Sequence, residues 1–259
     1  MGRFSLWRHQ ARLIQSASAY GAAALITVTL HEFAHGVTAR MFGLHPTVYG
    51  LREEDIANAG VRAAVIAGAG PVASLVLGVI FLMVHKRLRG QSFGRYLMLW
   101  LGLLGMAVFM GYLVTPPFYK NGDVYKVLAS LGMASPVFLW LSLLMGGIGI
   151  VQLARTGLPC LLNLTNSDVA LRPQMMASGM LAWVVGSALV LLAMTPQLPL
   201  MLVAIGTFVP LMNLFAARRD KTEPYGEPGA EPKISVWGIG LLIALAVLEQ
   251  TVLRTGVSF

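Results

Sequence analysis

The stretch Ala22–Arg40, AAALITVTLHEFAHGVTAR, decides how the rest of the chain is interpreted. Apolar residues lead into His31, Glu32 and His35 without a helix breaker, so the sequence predicts a helix that carries an HExxH pattern. Residues four apart on a helix share a face, which lets His31 and His35 bind one ion together. Glu32 lies about 100° further round the helix. Two imidazoles and a carboxylate can thus supply two zinc ligands and a base for a water molecule.

An HExxH pattern can also arise by chance, and the two histidines could form a structural pair without a metal. The pattern lies at the end of an apolar run, where ionisable side chains are costly and usually face a polar cavity or a partner. A structural pair would leave Glu32 in need of a cationic partner, and we find none in the neighbouring sequence. The sequence therefore favours a metal site, with Zn²⁺ as the expected ion.

Composition indicates a membrane protein. Hydrophobic residues make up 56% of the 259 residues and charged residues 12%, and the mean hydropathy is +0.71. A soluble domain has about 25% charged residues. The formal net charge of +8 does not indicate nucleic-acid binding, because Lys and Arg fall between apolar runs, where they determine topology. Cys160 is the only cysteine, which excludes an internal disulfide and a Cys-rich zinc site.

The hydropathy pattern predicts an all-α polytopic membrane protein with about seven transmembrane helices. Residues 1–16 suit a short amphipathic helix in the headgroup region. Residues 155–173 are expected to form a loop that follows the fourth span. The seven spans are expected at residues 18–40, 63–84, 96–114, 136–154, 175–194, 198–217 and 235–253.

A small extended segment or hairpin is expected after the first span. Residues 44–61 break the apolar pattern, and Thr47, Val48 and Tyr49 favour an extended backbone. The acidic residues 53–55 indicate a solvated turn. A short strand beside the HExxH helix is the structural expectation.

A third metal ligand is expected after the third span, in the sequence TPPFYKNGDV of residues 115–124. Its prolines end the helix and Asn-Gly favours a turn, so the backbone there is irregular and must be satisfied by protein or water. Asp123 is a candidate ligand, although it could instead cap a helix that begins at Val124. Asp168 is a rival ligand, but nothing in its surrounding sequence indicates a cavity.

These features resemble the site-2 protease family of intramembrane zinc metallopeptidases over roughly residues 18–130. The resemblance depends on HExxH within an apolar helix, on Gly70-Pro71 early in the next span, and on Asp123 after a proline-containing turn. The small residues around Gly70 are also explained by close helix packing, and the two interpretations are compatible.

The resemblance implies that zinc is held by His31, His35 and Asp123, with Glu32 as the catalytic base. Ser74 stands where an asparagine is common in that family, and Asn121 lies just before the Gly-Asp pair. Both are candidates for polar groups that contact the ligands or the reacting carbonyl.

The resemblance further implies a zinc metalloendopeptidase that hydrolyses peptide bonds in or near transmembrane segments of membrane-anchored protein substrates. Residues 17–130 would form the catalytic transmembrane core and residues 131–259 accessory helices. The segment Thr47, Val48 and Tyr49 would hold an unwound substrate by strand addition. We expect a multi-pass protein of a prokaryotic cell membrane, in contact with the lipid bilayer and with no nucleic-acid partner.

Two alternatives remain open from the sequence. A membrane zinc peptidase of another class would take a glutamate from a later helix, and Glu249 is the later intramembrane glutamate of this chain. A non-catalytic transporter or scaffold could use a metal for structure. Metal binding without turnover, and no effect of Glu32→Gln, would favour the second alternative.

The basic residues predict an orientation. With seven spans, thirteen of the nineteen Lys and Arg residues fall on one side of the membrane and six on the other. The positive-inside rule places the larger group in the cytoplasm. His35 and Asp123 would then lie nearer the outer face of the membrane. In the site-2 protease family, by contrast, the zinc site commonly lies towards the cytoplasm.

Overall fold

The computed structural model describes residues 3–49, 52–54, 60–90, 92–162, 164, 176–181, 183–185, 187–188, 208–218, 235–253 and 255–258. Elements are numbered in chain order within these residues. The helices are α1 (Arg3–Met41), α2 (Val61–Arg87), α3 (Phe93–Val114), α4 (Asp123–Ser130), α5 (Pro136–Leu162), α6 (Phe208–Arg218) and α7 (Val236–Leu248), with π-helical segments at Met176–Leu181 and Glu249–Leu253. The strands are β1 (Thr47–Tyr49), β2 (Arg52–Glu54) and β3 (Val257–Ser258).

Among the described residues, four helical segments are long and apolar enough to cross a bilayer, which makes this a multi-pass membrane protein. The shortest has 22 residues and is about 33 Å long, close to the ~30 Å of a hydrocarbon core. The first four predicted spans are thus confirmed, whereas seven are not shown. About half of the fifth and of the sixth predicted span lies outside the described residues, and the seventh is a shorter apolar helix. The four segments are Leu13–Met41, Val61–Arg87, Phe93–Val114 and Pro136–Leu161.

Helix α1 runs from Arg3 to Met41 without interruption, so the described part of the N-terminal segment continues directly into the first span. The helix ends where Gly43 adopts a left-handed backbone, with φ of 77°, and donates its N–H to the Arg40 carbonyl at 2.9 Å. Glycine adopts this conformation without a steric penalty. The chain leaves α1 at this turn and continues towards β1.

The expected hairpin is present and belongs to a three-stranded antiparallel sheet in the order β2-β1-β3. Thr47 lies opposite Glu54 on one side and Ser258 on the other. The acidic pair at residues 53–54 was expected in a turn, but it lies in β2, where backbone pairing with β1 outweighs its low strand preference. Strand β1 is therefore the central strand.

Helix α3 lies at the centre of the bundle and packs against α1, α2 and α5. Its Trp100 is fully buried and meets the Tyr20 ring of α1 edge to face, with 5.1 Å between ring centroids. The indole N–H donates to Ser16 Oγ at 3.0 Å, which satisfies the polar atom of this buried side chain. These contacts fix α1 against α3.

Helix α5 is longer than the sequence predicted. The fourth span was expected to end at residue 154, but the helix continues to Leu162 and includes Pro159. Leu158 and Leu161 are buried in the core, and this packing favours continuation through a proline that membrane helices tolerate. Cys160, expected in a loop, is consequently half-buried on α5.

The segment between α3 and α4 has the irregular backbone that its prolines predicted. Helix α3 ends at Val114, and the N–H groups of Phe118 and Tyr119 both donate to the Thr115 carbonyl at 2.9 Å. The turn leads into α4, which packs against α2 and begins with Asp123. The turn thereby brings a carboxylate back towards α1 and α2.

Candidate metal centre

Two histidines of α1 face α2 near the end of the first span. His31 is 1% exposed and His35 is 4% exposed, although both carry polar rings. Their four-residue separation places the rings one above the other, with 4.9 Å between ring centroids. Buried polar groups need partners, so the surfaces that meet these rings decide what the pair can do.

Helix α2 meets the two histidines with three residues that are also four apart. The Ile66 carbonyl lies 2.7 Å from His35 Nδ1, and Ser74 Oγ lies 3.0 Å from His31 Nδ1. Gly70 lies between them in sequence. The four-residue spacing on α2 matches that of the two histidines on α1. Ile66 and Ser74 therefore each contact one ring nitrogen, and Gly70 lies against both rings.

Gly70 lets both imidazole rings lie against α2 because it has no side chain. A Cβ atom at this position would overlap His35 Nε2 and would lie 2.7 Å from His31 Nε2. Even an alanine methyl group would therefore fill the position next to both nitrogens. Helix α2 continues through Gly70 and Pro71, so the proline does not break the helix here.

Asp123 completes the group from the start of α4. Its Oδ2 lies 3.0 Å from His31 Nε2 and 3.2 Å from His35 Nε2, and the two Nε2 atoms are 3.2 Å apart. The cap of α4 is Gly122, and no side-chain cap hydrogen bond is found there. Asp123 thus faces the histidines and does not act as the helix cap that the sequence also allowed.

Two acceptor atoms, His35 Nε2 and Asp123 Oδ2, meet in this group. The Ile66 carbonyl can only accept, so His35 Nδ1 carries a hydrogen and donates it. In the neutral ring, Nε2 then presents a lone pair to the carboxylate oxygen of Asp123, which is also an acceptor. Atoms of this kind 3.2 Å apart need a cation between them, either a ring proton or a metal ion.

The triangle of ligand atoms matches a tetrahedral zinc site. Its edges are 3.0, 3.2 and 3.2 Å. Ligands about 2.0–2.1 Å from a tetrahedral Zn²⁺ stand about 3.3–3.4 Å apart, so the three atoms are within a few tenths of an ångström of that arrangement. Two nitrogens and one carboxylate oxygen are also a donor set that zinc accepts. The residues fit the ion that the sequence predicted.

The Asp123 carboxylate is suited to bind a cation. Burial would raise its pKa, but the contacts with His31 and His35 outweigh burial and hold the pKa below the usual range. The side chain is 13% exposed, whereas the side chains of His31 and His35 are 0% and 5% exposed. The Asp123 side of the cluster is therefore the more accessible one.

Glu32 lies beside the cluster and is not one of its three ligands. It is 7% exposed and interacts electrostatically with His35 and with Tyr112. Glu32 is thus a second buried carboxylate beside His31, His35 and Asp123, outside the triangle of their three atoms.

The remaining sequence candidates are placed as follows. Ser74 contacts the Nδ1 atom of His31, on the side of the ring away from Asp123. Asn121 is exposed in the turn before Asp123. Thr47, Val48 and Tyr49 form β1. Asp168 lies outside the described residues, and the side chain of Glu249 is likewise not described.

Two contributors were missed by sequence reasoning. Tyr112 stacks on the His31 ring, with 4.9 Å between centroids and 7° between planes, yet a tyrosine near the end of a span is usually an interfacial anchor. Ile66 contributes through its backbone carbonyl, which side-chain identity does not reveal. The four-residue spacing of Ile66, Gly70 and Ser74 was the signal that could have identified this face of α2.

His31, His35 and Asp123 are, within the described part of the chain, a buried group that could hold a metal ion. Their ligand atoms come from α1 and α4, and α2 orients both imidazoles. Comparison of the chain with protein-family models, with curated proteins and with solved structures finds no match.

Proposed function

We propose that this protein is an intramembrane zinc metalloprotease of the kind found in the site-2 protease family, which its sequence resembles. The observation that carries the proposal is the convergence of two Nε2 atoms and one carboxylate oxygen within 3.2 Å, beside a buried glutamate and among membrane-spanning helices.

The chemistry would be hydrolysis of a peptide bond. When bound by His31, His35 and Asp123, zinc supplies Lewis acidity that lowers the pKa of water and polarises a carbonyl group. Glu32 takes one proton from the attacking water as the new C–O bond forms. It then gives the proton to the amide nitrogen as the C–N bond breaks. Ser74 and Ile66 keep the imidazoles oriented during these steps.

The substrate would be a membrane-anchored protein with a transmembrane segment. A helical segment holds its carbonyls in hydrogen bonds to the residue four positions on, so part of it must unwind before attack. An unwound strand can add to a sheet edge. Because β1 already has β2 and β3 on its two sides, such a strand would replace β3 or pair with the outer edge of β2.

The location proposed for this reaction is a prokaryotic cell membrane. In support, four apolar helices of the described residues are long enough to cross a bilayer, and the proposed ligands lie near the ends of α1 and α3 and near the start of α2. Hydrolysis near one membrane face would allow water to reach the cluster from the Asp123 side, which is the more exposed side.

The test is hydrolysis of single-span protein substrates by the purified full chain, with the wild type compared with Glu32→Gln. We expect the wild type to retain about one zinc per chain, as one three-ligand site implies. Glu32→Gln should keep the zinc and lose cleavage. Cleavage that survives this substitution would refute the proposed base. Zinc bound by the wild type without cleavage of any substrate would indicate a structural metal site instead.

A further inference from the structure

The side chain of Tyr112, near the end of α3, touches two of the three ligand residues. We infer that Tyr112 is a positioning residue of the metal centre, which holds the His31 ring by stacking and the Asp123 carboxylate by a hydrogen bond. The inference rests on the metal site of the proposed function and does not require hydrolysis.

The first contact fixes the His31 ring. The phenol and the imidazole are nearly parallel, with 7° between their planes and 4.9 Å between their centroids. Ser74 holds the Nδ1 edge of the same ring at 3.0 Å. Rotation of the imidazole about its bond to Cβ would move Nε2 away from the cluster, and the Tyr112 face blocks that rotation. Edge and face contacts together leave one ring orientation.

The second contact fixes the carboxylate. The Tyr112 hydroxyl donates a hydrogen bond to Asp123, which follows the irregular turn from Thr115 to Gly122. An aspartate that follows such a turn has no helix before it to restrict its position. Tyr112 belongs to α3, which is packed against α1, α2 and α5, so the hydroxyl connects Asp123 to a rigid element.

The ordinary role of a tyrosine at this position does not explain these contacts. Tyrosine near the end of a span usually places its hydroxyl in the headgroup region as an anchor. Here the ring covers His31 and the hydroxyl meets Asp123, so both parts of the side chain are directed at the cluster. Groups that orient metal ligands in this way typically contribute a factor of about 10–100 in metal affinity.

The experiment measures Co²⁺ and Zn²⁺ binding to the detergent-purified full chain by chelator competition, together with the visible absorption of the Co²⁺ form. Tyr112→Phe keeps the ring and removes the hydroxyl, whereas Tyr112→Leu removes both contacts. Tyr96→Phe is the matched control because it removes a buried hydroxyl from the same helix, sixteen positions away in sequence.

We expect Tyr112→Phe to bind metal about tenfold more weakly and Tyr112→Leu about a hundredfold more weakly, each with an altered Co²⁺ spectrum. Tyr96→Phe should change neither quantity. Wild-type affinity and an unchanged spectrum in both Tyr112 variants would overturn the inference. So would a loss of thermal stability, in Tyr112→Phe and Tyr96→Phe alike, without a change in the spectrum.

The outcome separates this inference from the proposed function. If the Tyr112 variants change the metal site but the wild type cleaves no substrate, the inference stands and the protease proposal fails. If the wild type cleaves substrate and the Tyr112 variants bind metal as it does, the proposal stands and the inference fails. A wild type that binds neither Co²⁺ nor Zn²⁺ overturns both.

Discussion

Two helix contacts in this protein use glycine for different purposes. The α1–α2 contact, called here the polar interface, brings Gly70 of α2 next to the ligand nitrogens of His31 and His35. The α3–α5 contact, called here the apolar interface, brings Gly146 of α5 against the backbone of Met110. Both glycines face a neighbouring helix from within a membrane span, so position in the span does not distinguish them.

The difference lies in what each missing side chain leaves room for. At the apolar interface, a Cβ on Gly146 would lie 2.8 Å from the Met110 carbonyl oxygen and 2.9 Å from Leu113 Cβ, so the glycine allows two helices to approach. At the polar interface, a Cβ on Gly70 would meet two imidazole nitrogens that a cation can bind. We therefore expect one glycine to contribute to packing and the other to metal binding. Substitutions can test this distinction.

The largest expected effect is loss of a ligand of the polar interface. Asp123→Ala should reduce zinc retention from about one ion per chain to nearly none, because the two remaining imidazoles cannot complete a three-ligand site. His31→Ala and His35→Ala should do the same. Metal analysis of the purified variants measures the effect. Asp168→Ala is the matched control and should retain zinc, and the reverse result would move the third ligand to Asp168.

Gly70→Ala should come next, with zinc retention reduced to below about a tenth of that of the wild type. The added methyl group would occupy the position next to both Nε2 atoms. The methyl group would also crowd two buried rings and lower the melting temperature, so zinc content is compared per folded chain. Zinc retention equal to that of the wild type would show that the ion does not bind between these nitrogens.

Ser74→Ala should have an intermediate effect on metal binding. It removes the oxygen 3.0 Å from His31 Nδ1 and leaves the three ligands in place. We expect zinc affinity to fall about tenfold, in the range found for groups that orient metal ligands. Chelator competition measures this change. Ser142→Ala, which removes a buried hydroxyl bonded to the Leu113 carbonyl at the apolar interface, is the control and should leave zinc affinity unchanged.

Gly146→Ala should have the smallest effect on metal binding and a clear effect on stability. Crowding at the apolar interface should cost about 1–3 kcal/mol and lower the melting temperature by about 2–10 °C. Zinc content per folded chain should stay that of the wild type. A fall in zinc content that matches Gly70→Ala would mean that the two interfaces do not have the separate roles described above.

Much of the fold was predictable because its signals are local. Apolar runs identified the first four spans, and the prolines after Thr115 identified the turn that precedes Asp123. The end of α5 was not predictable in this way. Arg155 and Pro159 resemble the start of a loop, but burial of Leu158 against the core, a tertiary contact, continues the helix.

The candidate site was predictable to the extent that its residues carry recognisable side chains at fixed spacings. His31 and His35 follow from helical periodicity, and Asp123 follows from the turn before it. Tyr112 and the Ile66 carbonyl were not predictable, because their contribution depends on where α2 and α3 lie relative to α1. The pairing of β3 with β1 joins residues about 210 positions apart, and no local pattern indicates it.

That pairing has a consequence for biosynthesis. The ribosome makes β1 early and β3 after all of the described helices, so for most of translation the edge of β1 that β3 later covers has no partner among the described strands. Unpaired strand edges bind other extended segments. We therefore expect this edge to be open to other extended segments until Val257 and Ser258 are synthesised.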